Sequence, residues 1–167
     1  MGRLIKLIVL DVDRTIWSHQ NSSDLVPPFK LLSTNLVEDR YGSKVRLNEK
    51  LREFLEFSRK KGLLLSIASW NEPENVLELL SMFSIVNYFV FPTIEPHPNK
   101  SHMIQKIISN LGEKGIRISP EEILYIDDRD IHLREVRAIL GNVLFLKYGS
   151  DVKNWQEVVN VVKSMIG

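Results

Sequence analysis

Between residues 4 and 166 the chain repeats one alternation: a short block of consecutive apolar residues, then a longer block in which apolar residues recur every three or four positions. Unbroken short runs predict strands buried on both faces, and the periodic blocks predict helices carrying one apolar stripe. The runs are Leu4–Leu10, Leu63–Ala68, Tyr88–Phe91, Ile123–Ile126 and Val143–Leu146. The helical stripes are Leu51, Phe54, Leu55 and Ser58; Val76, Leu77, Leu80 and Phe83; Met103, Ile104, Ile107, Ile108 and Leu111; Leu133, Val136, Ile139 and Leu140; and Trp155, Val158, Val159 and Val162 within 151–166. Asn48, Asn71 and Asn99 stand where helix caps belong, and Gly62 and Gly141 where two helices should close. Strands alternating with helices imply right-handed crossovers and an α/β domain whose parallel sheet is covered on both faces.

One stretch breaks the pattern. Residues 16–46 are mostly polar and hold Trp17, His19, Pro27-Pro28 and the signal of a hairpin turning near Asp39–Ser43. A connection this long inside a compact domain is usually functional or disordered. It starts directly after two carboxylates, Asp11 and Asp13, and is expected to form a flap over the site they mark.

Composition narrows the chemistry. With 167 residues and a formal charge of +1, the chain suits one domain, 1–167, and offers neither a broad basic face for nucleic acid nor an acidic tail. The absence of cysteine excludes disulfides, zinc-thiolate sites and a thiol nucleophile. The run Leu4–Leu10 is too short to span a bilayer, so the expectation is a soluble, cytoplasmic protein without a membrane partner.

The candidate chemistry lies where apolar runs end. In an open parallel sheet, ligands bind outside the carboxyl ends of the strands. Asp11, Asp13, Ser69 and the pair Asp127-Asp128 fall at such ends, and Lys100 falls in the first turn of a helix, where the helix dipole disfavours a cation. A positive charge placed there requires an anionic partner. Several carboxylates at one sheet edge make a site of hard oxygen ligands suited to Mg2+. Ser69, the N–H groups of the helix after it and Lys100 make a cradle for a phosphoryl group. In that arrangement Asp11 is the candidate nucleophile, Asp13 the general acid and base, and Lys100 the stabiliser of developing charge. Trp17 and Trp70 flank these segments as candidates for stacking on a leaving group, and Asn71 is a candidate phosphate or substrate contact beside Ser69.

These segments, Asp11-Val12-Asp13-Arg14-Thr15, Ser69, Lys100 and Asp127-Asp128, resemble the four motifs of the haloacid dehalogenase superfamily of phosphatases. Thr15-Ile16-Trp17, Pro27-Pro28-Phe29, Val45-Arg46-Leu47 and Ala68-Ser69 narrow the resemblance to the magnesium-dependent phosphatase type 1 family. The resemblance implies a three-layer, Rossmann-like, doubly wound sheet without a large cap domain. It also implies hydrolysis of phosphomonoesters, phosphotyrosine or sugar phosphates, through an aspartyl phosphate. Asp11, the backbone carbonyl of Asp13 and Asp128 would hold Mg2+, with Asp127 acting through water or behind the ligands. Where that family has Ala-Ser-Arg-Thr, this chain has Ala68-Ser69-Trp70-Asn71, so the substrate-binding Arg is missing and either Arg14 or Trp70 is the expected replacement. A phosphoacceptor domain of receiver type uses similar residues in the opposite order along the chain. A non-catalytic phosphate-binding module would not need the full set.

Overall fold

A computed structural model describes residues 4–167. Five strands, β1 (Leu7–Leu10), β5 (Leu64–Trp70), β6 (Thr93–Glu95), β7 (Ile123–Asp127) and β8 (Leu144–Lys147), form one sheet in the order β6-β5-β1-β7-β8, every neighbouring pair parallel. Between β1 and β5 lies a separate antiparallel sheet of β2 (Lys30–Ser33), β3 (Leu36–Glu38) and β4 (Lys44–Arg46). The helices are α1 (Leu51–Lys60), α2 (Pro73–Met82), α3 (Lys100–Glu113), α4 (Leu133–Leu140) and α5 (Trp155–Lys163).

Side chains alternate across β1, and the core divides accordingly. Ile8 and Leu10 join one cluster with Phe54 and Leu55 of α1, Val76, Leu79 and Leu80 of α2, and Trp155 and Val158 of α5. Leu7 and Val9 join the other with Met103, Ile104 and Ile107 of α3 and Val136 of α4. The sheet is thus sandwiched between two helical layers, the three-layer α/β arrangement that the alternation of runs and stripes implies. All four β1 residues are fully buried, as befits the central strand of a parallel sheet. Gly141 closes α4 with φ of +123°, and a Cβ there would lie 3.0 Å from Pro120.

Four expectations need correction. The aromatic run 88–91 does not form a strand: Val86–Tyr88 is a 3-10 turn, Phe89 makes one isolated bridge to Leu65, and the edge strand β6 falls later, at Thr93–Glu95. Asn48 does not cap α1. Its side chain donates to Thr15 O at 2.7 Å, and the helix opens on Lys50 in the left-handed region at φ of +67°. Asn71 does not cap α2, which starts after Glu72. Leu77 and Ile139, predicted on buried stripes, are exposed, and Leu79 takes the buried position in α2.

The segment after β1 divides in two. Its beginning, through Asp24, stays at the carboxyl edge of the main sheet and walls a cleft there. The small sheet lies elsewhere: Val37 and Val45 insert into the cluster under α1 and α5, and the Arg52 guanidinium ties the turn at Thr34–Asn35 to Phe83 O. Asp39 locks its far turn by accepting the N–H groups of Val26, Tyr41 and Ser43.

Candidate active site

β1 delivers Asp11 to the sheet edge, its N–H still bonded to Ile126 O at 2.9 Å. The next strand over, β7, delivers Asp127 and Asp128 to the same edge. Carboxylate oxygens of these three residues lie within 4.8 Å of one another. From the other side α3 brings Lys100, whose helix is capped by the Asn99 side chain accepting the N–H of His102. Lys100 is buried, with Nζ 2.8 Å from Asp11 Oδ1, 2.5 Å from Ala68 O and 3.7 Å from Asp127 Oδ2. The cation at the unfavourable end of a helix therefore has the anionic partner it requires.

Charge is poorly balanced in this cluster. Burial raises the Asp11 carboxyl well above the usual carboxylate range; Lys100 pulls it back, and the negative Asp127 and Asp128 push it further up. Asp128 is raised by burial and by its neighbour Asp127. Burial opposes ionisation of Asp127 as well, but Lys100, the Tyr125 hydroxyl and the N–H of Arg129 outweigh it and hold that carboxyl low. Three carboxylates share one ammonium, so full ionisation leaves a deficit of two positive charges. One divalent cation with hard oxygen ligands fits that deficit and that donor set.

Asp13 stands apart from the cluster. Its carboxylate accepts from Trp17 Nε1 at 2.9 Å, from the Ser22 N–H at 2.9 Å, from Asn71 Nδ2 at 3.0 Å, and closely from the Ser22 hydroxyl. Asn71 also donates to Ser69 Oγ at 2.8 Å, which leaves the Ser69 proton for another acceptor. Both hydrogens of the Asn71 amide are then engaged, so this residue braces Asp13 and Ser69 and has no donor left for a ligand. Trp17 is fully buried, with its indole N–H on Asp13, so it offers no surface for stacking and stands as a support of the carboxylate. Trp70 does face the opening and is 47% exposed. Arg14, at φ of +57°, lies on the same wall and donates to Gln20 at 2.7 Å. The cleft encloses about 710 Å3 and reaches Asp11, Asp13, Lys100 and Asp128 at its floor.

A model of the family described as acid phosphatase matches residues 3–164 of the chain. The chain belongs to the acid phosphatase family. It is 30% identical over 155 residues to human magnesium-dependent phosphatase 1, covering 92% of this chain and 84% of that protein. A haloacid dehalogenase superfamily hydrolase from Ehrlichia chaffeensis has the same fold, with a TM-score of 0.69, 14% identity and full coverage of both chains. The N-terminal part of BF1531 from Bacteroides fragilis, which contains a phosphatase domain and was solved with Mg, also has a TM-score of 0.69, with 16% identity. It covers 99% of this chain, which spans only 42% of that structure. The chain thus belongs to a family of phosphatases, resembles magnesium-dependent phosphatase 1, and has the fold of the haloacid dehalogenase hydrolases.

Several residues of the site in this acid phosphatase family member give no signal in the sequence. Ser22 and Ser23 lie in a polar stretch of loop, and only the need of a buried carboxylate for donors points to them. Tyr125 reads as a strand residue, yet its hydroxyl donates to Asp127. Arg129, which follows the acidic pair, also lines the cleft.

Proposed function

We propose that this protein is a Mg2+-dependent phosphomonoester hydrolase that works through an aspartyl phosphate on Asp11. The observation that carries this reading is the buried Asp11 carboxylate, 2.8 Å from Lys100 and grouped with Asp127 and Asp128 on the floor of an open cleft. Asp11 and Asp128 are the candidate side-chain ligands, with the backbone carbonyl of Asp13; Asp127, held by Tyr125 and Lys100, serves behind them. Mg2+, when bound, offsets the carboxylate repulsion and withdraws charge from the transferring phosphoryl group.

The chain's own residues divide the reaction. An Asp11 oxygen bonds to phosphorus as the bond from phosphorus to the leaving oxygen breaks, and Asp13 gives that oxygen its proton. Water then attacks the phosphorus of the aspartyl phosphate, its proton passing to Asp13, and inorganic phosphate leaves as Asp11 is regenerated. Lys100 neutralises charge next to the nucleophile, and the Ser69 hydroxyl donates to the phosphoryl group. Arg14 and Arg129 supply a cationic edge to the cleft and Trp70 an aromatic one, a combination that suits small sugar phosphates or phosphotyrosine.

Incubation with p-nitrophenyl phosphate tests the reading. Steady turnover that needs Mg2+ and falls by about a thousandfold or more in Asp11→Asn is expected. A single stoichiometric phosphorylation without turnover, or turnover that survives Asp11→Asn, overturns it.

A further inference from the structure

Asp13 is fixed by a part of the chain that no motif covers. Beyond Trp17 and Asn71, two of its donors, the N–H and the hydroxyl of Ser22, come from one residue of the 3-10 turn Ser22–Asp24, itself capped by Asn21. That turn is tied to α2 from outside the cleft. Asn75 Nδ2 donates to Ser22 O at 2.9 Å and to Leu25 O at 2.8 Å, so the first turn of α2 holds both ends of the loop. Ser23 adds a second tie: its hydroxyl donates to Asn71 Oδ1 at 2.7 Å and accepts the N–H of Glu72 at 3.0 Å. The Asn71 amide orientation is chemically determined, because a carboxylate only accepts and Nδ2 must therefore face Asp13. The result is a closed polar network running from Asn75 through Ser22 to Asp13, and from Ser23 through Asn71 to both Asp13 and Ser69.

We infer that Ser22 is a positioning residue for Asp13, and that Asn75, anchoring the Ser22–Asp24 turn to α2, sets the angle at which Asp13 meets the leaving oxygen. This inference rests on the proposed hydrolase reading, in which Asp13 moves the proton. Two features favour Ser22 over the other donors. It contacts both oxygens of the carboxylate, one through its backbone and one through its side chain, and so fixes the plane of the group. Its hydroxyl can also donate or accept from one oxygen, whereas the Asn71 amide would have to flip and break its bonds to Ser69 and Ser23, so the Ser22 hydroxyl stays bonded to Asp13 before and after proton transfer. A small angular error at a general acid matters most when the leaving oxygen is strongly basic, since a weakly basic one departs without much help.

The test compares two phosphomonoesters in the Mg2+-loaded full chain: p-nitrophenyl phosphate, with a good leaving group, and a simple alkyl phosphate, with a poor one. Asp13→Asn serves as the reference. It should depress kcat for the alkyl ester at least about a hundredfold and for the aryl ester far less. Ser22→Ala should reproduce that split at about tenfold against about twofold, and Asn75→Ala, which touches neither Asp13 nor the cleft, should show it in weaker form. Ser22→Thr, which keeps the hydroxyl, should restore most of the alkyl activity. Should Ser22→Ala fail to fold, Asn75→Ala carries the test, with thermal denaturation reporting on its fold. An equal loss on both esters in Ser22→Ala and Asn75→Ala, or no loss on either, while Asp13→Asn keeps its split, overturns the positioning role and leaves the hydrolase reading intact. An Asp13→Asn variant without a split removes the proposed role of Asp13 itself, and the inference with it.

Discussion

Two regions of this molecule handle the same problem, a short strand, in opposite ways. β1 and β7 are buried at every position and end in carboxylates that stay buried or half-buried with a lysine among them. β2 is exposed at all four positions, Leu31 and Leu32 included, and its small sheet is seated by two valines, Val37 and Val45. The difference teaches where this fold tolerates buried charge. Charges are buried only where several chain segments arrive together with donors, because an unpaired ionised group away from water is very costly. The small sheet buries a single carboxylate, Asp39 in its turn, under three backbone N–H donors, and is otherwise seated by one apolar face.

The largest test of this contrast is Lys100→Met. It leaves Asp11 and Asp127 without their cation and should lower stability by about 3–5 kcal/mol at neutral pH, read from urea denaturation without metal. A second change, Asp11→Asn in that background, should restore part of the loss; a loss no larger than that of a surface lysine would break the contrast. Next in size, Val37→Ala should cost about 2 kcal/mol, whereas Leu31→Ser, also apolar and in the same small sheet, should stay within about 0.5 kcal/mol. Equal effects of the two would mean that β2 is covered by something.

The smallest effect concerns acid. Burial opposes ionisation of Asp39, but the N–H groups of Val26, Ser43 and Tyr41 outweigh it and hold the carboxyl below the usual range. Its folded pKa lies under its unfolded one, so its contribution is present above about pH 4 and is lost as pH falls through the folded value. Asp39→Asn should therefore be less stable than the parent at pH 6 and should lose stability less steeply below pH 4, as urea midpoints taken across that range would show. Parallel profiles would sink the assignment.

The same contrast explains which parts of the molecule the sequence announces. Leu7–Leu10 and Ile123–Ile126 are legible because a strand buried on both faces must be apolar at every position. Lys100 is legible because its charge is wrong for its place in α3. β6 is not: Thr93–Glu95 is flanked by prolines, which an edge strand accepts, while the aromatic run before it spends its apolar surface on packing a turn. Asn48 and Asn71 are misleading for one shared reason. Each has a side chain able to cap a helix locally, and in each case a more distant partner, Thr15 O or Asp13, claims it instead. Such long-range polar pairings leave no periodic trace. The braces around Asp13 stay hidden in the sequence for that reason, although Asp13 itself is visible.

The strand order has a last consequence, for synthesis of the chain. β1 is made first but pairs with β5 on one side and β7 on the other, so its second edge waits until residue 127 has been added. A ribosome that stops short of that point releases a fragment whose Leu7–Leu10 segment has open hydrogen-bonding groups and apolar side chains on both faces. Truncation before Ile123 should therefore yield an aggregating product and not a smaller working domain.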